Sequence, residues 1–204
     1  VLSSDEFEGR SPASAGEDLT VAYLIEQFEA AGLEPGNGDS WTQDVPLVSL
    51  TAVGSPAMTV SGNGTETELR MGPDFTAWTK RVVDEVSLDA SEMVFVGYGI
   101  VAPEYGWNDY EDLDMAGKTA VILVNDSGYA PQDETLFRGF AMTYYGRWTY
   151  KFEEAARQGA AGAIVVHETG PAGYPWQVVE TGWTGPQFGL VAEDNNMSRT
   201  AVEG

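Results

Sequence analysis

Thr119-Ala-Val-Ile-Leu-Val124, Trp148-Thr-Tyr-Lys-Phe-Glu-Glu-Ala-Ala-Arg157 and Ala163-Ile-Val-Val166 decide the fold of this 204-residue chain. The first run is apolar or β-branched without alternation, the pattern of a strand buried on both faces. In the second, Trp148, Phe152 and Ala155 fall on one helical stripe, and Gly159 ends it. A helix is expected from Arg147 to Gln158. The third run is again β-branched. Strand, long loop, helix and strand in that order predict a βαβ unit with a right-handed crossover.

Further strands are expected at Ala57–Val60, Glu68–Met71 and Met93–Gly97. Ahead of them, Val21, Leu24, Ile25, Phe28 and Ala31 recur at helical spacing behind a capping-box pattern, Ser14-Ala-Gly-Glu17. Gly32 and Leu33 suit a Schellman ending, so an amphipathic helix is expected over 17–31. Its stripe needs a partner, either another part of the protein or a second copy in a homo-oligomer. Pro35–Gly38 reads as a loop, and Trp41–Leu47 as a short extended segment. The class is mixed helix and sheet, α/β or α+β, with no internal repeat.

Composition narrows the function. With 32 acidic against 10 basic residues the formal net charge is -22. Nucleic-acid phosphates and anionic membrane surfaces are poor partners for such a chain. No apolar run approaches the ~20 residues of a membrane span. There is no Cys and only one His. Disulfides and thiolate chemistry are therefore excluded, and a zinc site rich in His or Cys cannot be assembled. Metal ligands and catalytic residues are expected to be absent.

Several motifs dissolve on inspection. Gly97-Tyr-Gly-Ile-Val-Ala102 mimics a dinucleotide fingerprint. Pro103 and Gly106 follow where a helix would have to open, so a tight turn is expected. His167-Glu168 lacks the second His of the helical zinc motif and reads as a structural strand end. Asn108–Asp114 and Glu193–Asn196 gather oxygen ligands without the calcium-loop order, and read as solvated acidic loops. No Gly-x-Ser-x-Gly elbow exists. The acceptor patterns at Asn63, Asn125 and Asn196 are too short to carry weight. The aromatics are denser around the crossover: Tyr144, Tyr145, Trp148, Tyr150, Tyr174, Trp176 and Trp183. Trp176 and Trp183 fall in Gly/Pro-rich stretches read as loops, where exposed rings signal contact.

Two stretches carry a resemblance. Phe95-Val-Gly-Tyr-Gly-Ile-Val-Ala-Pro-Glu-Tyr-Gly-Trp-Asn-Asp-Tyr110 and Ala141-Met-Thr-Tyr-Tyr-Gly-Arg-Trp-Thr-Tyr-Lys151 resemble the protease-associated domain. That domain is inserted in a family of two-zinc aminopeptidases, the transferrin-receptor and glutamate-carboxypeptidase-like peptidases. Leu2-Ser-Ser-Asp-Glu-Phe-Glu-Gly-Arg-Ser11, the first helix and Thr42-Gln-Asp-Val-Pro-Leu47 resemble the start of the peptidase body. The resemblance implies an N-terminal peptidase segment over 1–48. It implies a protease-associated insert over 49–204, a β-sandwich or open barrel with flanking helices.

The zinc ligands of such enzymes follow the insert, so both zinc ions and the chemistry would belong to the parent enzyme, a hydrolase exported by a bacterium. The insert would act as a lid or substrate-guiding wall. Its partners would be the remainder of the peptidase and the peptide substrate. Arg147, Trp148, Tyr145, Trp176 and Trp183 are the candidate substrate-binding residues. The competing reading is a free-standing module that binds a peptide or glycan through its aromatic loops.

Overall fold

The structure, a computed structural model, describes residues 1–54 and 57–191. The chain forms two compact units, Val1–Pro46 and Leu47–Gly204.

The first unit opens with 3-10 turns over Asp5–Arg10, interrupted by left-handed backbone at Glu8 and Gly9. Phe7 turns inward and meets the Tyr23 ring edge-on at 6.2 Å. Helix α1, Ala15–Ala30, starts at Ser14, whose hydroxyl accepts from the Glu17 N–H. The Glu17 carboxylate accepts in return from the N–H of Ala13 rather than of Ser14, a capping box displaced by one residue. Gly16 is required by contact: a Cβ there would lie 2.3 Å from the Phe7 carbonyl oxygen. The far end is a Schellman motif. Leu33 N–H donates to Phe28 O and Gly32 N–H to Glu29 O, with Gly32 at φ 77°. The apolar stripe is only half-covered at Val21, Leu24 and Ile25, and Phe28 is 43% exposed, stacked on Trp41.

The second unit begins with β1, Leu47–Leu50. Next comes a hairpin of β2, Ala57–Gly62, and β3, Thr65–Arg70, turned at Asn63-Gly64. The Asn-Gly pair supplies the two left-handed residues such a turn needs. Strand β4, Met93–Phe95, is followed by a short hairpin of β5, Val101–Ala102, and β6, Trp107–Asn108. Then come β7, Thr119–Leu123, helix α2, Trp148–Arg157, and β8, Gly162–Val166. A four-residue helical turn α3, Thr169–Ala172, and helix α4, Trp176–Trp183, lead to β9, Gln187–Leu190. Strand β9 pairs antiparallel with β1.

β4, β7 and β8 form one parallel sheet in that order, with Phe95, Val121 and Ile164 in register. Central β7 is buried, as its apolar run requires. One face of this sheet carries Val96, Ala120, Ile122 and Ala163, which pack with Phe152 and Ala155 of α2. Burying a side chain such as Ile122 stabilises by roughly 1.5–3 kcal/mol. A second cluster joins Ile100, Ala102, Phe137 and Tyr150.

The architecture is thus mixed helix and sheet in four small sheets, with no closed barrel among the described residues. Trp176 and Trp183, expected in loops, instead bound a helix. Pro175 precedes its first turn, where the missing N–H costs nothing, and Val179 anchors its inner face. Gly97-Tyr98-Gly99 makes the tight turn expected, closed by Gly99 N–H donating to Val96 O at 2.8 Å. Among the described residues no helix is long and apolar enough to cross a membrane. Glu193–Asn196 lies outside the described residues.

Candidate functional site

The carboxyl ends of parallel strands are where open α/β sheets gather their functional side chains. Here β4 runs into Tyr98, β7 into Asn125 and Asp126, and β8 into His167 and Glu168. Helix α2 sends Lys151 toward the same edge. Lys151 is fully buried, and its Nζ donates to the Tyr98 carbonyl at 2.5 Å. Asp126, also fully buried, accepts from Gly128 N at 3.2 Å, Thr143 N at 3.0 Å and Thr143 Oγ1 at 2.6 Å. Asp109 accepts from Ile100 N at 3.0 Å.

Burial pulls the Lys151 amine down to about 7, against the opposing pull of Asp126 and Asp109. Burial raises the Asp109 carboxyl, and it raises the Tyr98 phenol, helped by Glu168, Asp126 and Asp109. Perturbed groups of this kind cluster at working sites. Yet Lys151 and Asp126 expose nothing to solvent. They tie the turns after β4 and β7 to α2, and so fix the entry of that helix.

At that entry stands Arg147, the residue before α2. Its backbone is set by two neighbours. Gly146 packs so closely that an added Cβ would lie 3.1 Å from the Asn125 backbone, and Lys151 N–H donates to Arg147 O. The guanidinium is exposed, with no hydrogen bond or ion pair among the described residues. It lies close enough to Tyr174 to draw that phenol down, though burial dominates and raises it.

Trp148 follows, its ring 6.1 Å from Tyr174 and 5.9 Å from Trp183. Trp183 also stacks on Trp78 at 5.0 Å, and Phe152 meets Trp78 edge-on. The Lys80 ammonium sits 4.9 Å from the Trp78 ring centre, and burial lowers its pKa. The result is a half-buried column of three indoles, with the exposed Arg147 preceding Trp148 in the chain.

Of the five candidate residues, the structure brings Trp148 and Trp183 into contact, with Arg147 next to Trp148 in the chain. Trp176 stands apart, donating its Nε1–H to Gly72 O at 2.9 Å and facing His167. Tyr145 joins the second core cluster, and its hydroxyl donates to Glu104 at 2.5 Å. That bond, above all, pushes the Tyr145 phenol up to about 12.

Sequence reasoning passed over Lys151 and Asp126, and it read Asp109 as part of a solvated acidic loop, whereas Asp109 is half-buried and accepts from Ile100 N. The signal for Lys151 was present, because residue 151 falls on the apolar stripe of 148, 152 and 155, where a cation is out of place. His167 ends β8 and meets Tyr174 at 5.5 Å and Trp176 at 5.8 Å. Both its ring nitrogens are shut from solvent without a hydrogen-bond partner among the described residues. An unmet buried polar group costs roughly 1–3 kcal/mol. Among the described residues no three His, Cys, Asp or Glu side chains converge to hold a metal ion.

No family model matches the chain, and no curated protein does. Among solved structures, the aminopeptidase from Aneurinibacillus sp. strain AM-1 is similar over 79% of this chain, with 20% identity and a TM-score of 0.39. The chain spans 30% of the length of that aminopeptidase.

Proposed function

We propose that the unit beginning at Leu47 is a protease-associated insert of sandwich or open-barrel type, and that its parent is an exported two-zinc aminopeptidase. The first unit would be the opening piece of the peptidase body. The zinc ions, which supply a water activated for attack on the peptide bond, would be held elsewhere in the parent. The part of this chain is to receive and align the peptide, as a wall of the cleft.

Arg147 carries this reading. In a chain of net charge -22, an exposed guanidinium without a hydrogen bond or ion pair among the described residues is available for an anion. Its planar fork matches a carboxylate with two parallel bonds. The resembling stretch Ala141–Lys151 builds it: Gly146 and Lys151 hold the backbone, and Trp148 and Tyr174 provide apolar flanks. Trp183 braces Trp148. Tyr145 and Trp176, whose polar atoms are already bonded, support the loops behind. The ligand is therefore a peptide with a free carboxylate beside an apolar side chain.

Tryptophan fluorescence tests this on the chain itself, because Trp148 follows Arg147 in the chain and stacks on Trp183. A short peptide with a free C-terminus should quench or shift the emission saturably, and its C-terminal amide should bind about tenfold more weakly. Arg147→Ala should erase that difference. Equal binding of acid and amide by the unaltered protein would reject the role of Arg147.

A further inference from the structure

His167 is a half-buried side chain whose two ring nitrogens are shut from solvent, and the reading above leaves it without a task. It stands one residue beyond β8, at the carboxyl edge of the parallel sheet. In its neutral form an imidazole brings one donor and one acceptor, and neither ring nitrogen of His167 has a partner among the described residues. The rings around it form a clamp. Trp176 is the fixed arm, tied by its indole N–H to Gly72 O. Tyr174 is the free arm, with no hydrogen bond among the described residues. The two arms sit on one short link, Gly173-Tyr174-Pro175-Trp176, between α3 and α4, with Gly173 in left-handed backbone at φ 84°. A buried group kept unpaired in a packed clamp lowers stability, and proteins retain such groups where function uses them.

We propose that His167 is the floor of a subsite for an uncharged peptide amide, with Trp176 as its fixed wall and Tyr174 as the wall that swings aside to admit it. The choice of ligand follows from the donor set. A carboxylate or phosphate only accepts, and an ammonium only donates, whereas an amide does both and so complements each kind of imidazole nitrogen. A flat group also stacks well against aromatic rings. Glu168 next in the chain disfavours an anion. The proposal rests on the reading that this domain handles peptides, and it adds an anchor for the peptide backbone that shares Tyr174 with the carboxylate site at Arg147.

The single His makes the test specific, because the chain has one pair of imidazole nitrogen resonances. The probe is acetyl-trialanine amide, blocked at both ends so that Arg147 has no carboxylate to bind. Titration should shift both imidazole nitrogens saturably. His167→Gln, which keeps a donor and an acceptor, should bind within a few-fold of the unaltered protein. His167→Phe should weaken binding about tenfold or more while its melting temperature stays level or rises, since the unmet atoms are gone.

Three results would overturn the proposal: no imidazole shift with the blocked peptide, a shift with maltotriose in its place, or a lower melting temperature in His167→Phe with binding intact. The last would mean a structural imidazole satisfied by ordered water. If both variants fail to fold, the titration of the unaltered protein still decides. A free-acid peptide that binds through Arg147 while the blocked peptide does not would sink this subsite alone. The reverse pattern would sink the Arg147 reading alone.

Discussion

Replacing Lys151 by Met changes how stability depends on pH, and the direction follows from burial. The folded protein holds the amine at about 7, below its ordinary 10.5. A lowered lysine pKa means that folding penalises the charged form. The penalty is complete below about pH 7 and fades as pH rises toward the ordinary lysine range. In that window the unfolded chain binds a proton that the folded one does not, so stability climbs by about 1.4 kcal/mol per pH unit. Between pH 7.5 and 9.5 the gain from this one group is about 3 kcal/mol. Met has nearly the length of Lys and no charge, so Lys151→Met should remove the slope while keeping the packing. Urea unfolding of both proteins at half-unit steps of pH measures it. The two stability curves should converge as pH rises, with the variant favoured at the acid end. Parallel curves would refute the claim that burial holds the Lys151 amine well below its ordinary value.

Other substitutions probe the remaining contacts. Gly16→Ala forces a Cβ to 2.3 Å from the Phe7 carbonyl oxygen and should destabilise the first unit by about 1–3 kcal/mol, seen as loss of α1 helicity in circular dichroism at mild denaturant. Trp183→Ala removes the stacks on Trp78 and Trp148 and should cost about 2–4 kcal/mol in chemical unfolding, with the indole fluorescence red-shifted. With one His, no Cys and no converging ligands among the described residues, the chain should show no stoichiometric sub-micromolar zinc uptake by calorimetry and no aminopeptidase turnover when metal-loaded.

The parts legible in the sequence were those governed by local periodicity. The continuous apolar run at 119–124, the stripe 148–152–155 and the β-branched run at 163–166 each have one consistent reading, and the parallel β7–α2–β8 unit follows. The Ser14 cap and the Gly32 ending of α1 were equally legible, because caps are local hydrogen-bond chemistry. The helix over 176–183 was hidden by Gly182, Gly185 and two prolines. Its stability comes from Val179 and the indole column, which are tertiary contacts.

The site divides along the same line. The aromatic density near Arg147 was visible, and the stretch Ala141–Lys151 pointed to it. The pairing of Trp183 with Trp78, 105 positions away, was not, since nothing in the spacing links them. The burial of Lys151 and Asp126, and the half-burial of Asp109, escaped because charged residues are expected outside, and here burial is set by loops that close over the sheet edge. The length of β2 and β3 was underestimated because the Asn63-Gly64 turn signal was not used.

The central claim is that this chain contacts the peptide without performing the chemistry, and steady-state kinetics of Arg147→Ala in the complete enzyme test it most directly. A contact made equally in ground and transition states raises KM and leaves kcat nearly unchanged. The loss of an exposed ionic contact worth about 1–3 kcal/mol should raise KM by roughly 5- to 150-fold for substrates with a free carboxylate, at an unchanged melting temperature. A KM equal to that of the unaltered enzyme, with stability intact, would contradict the account.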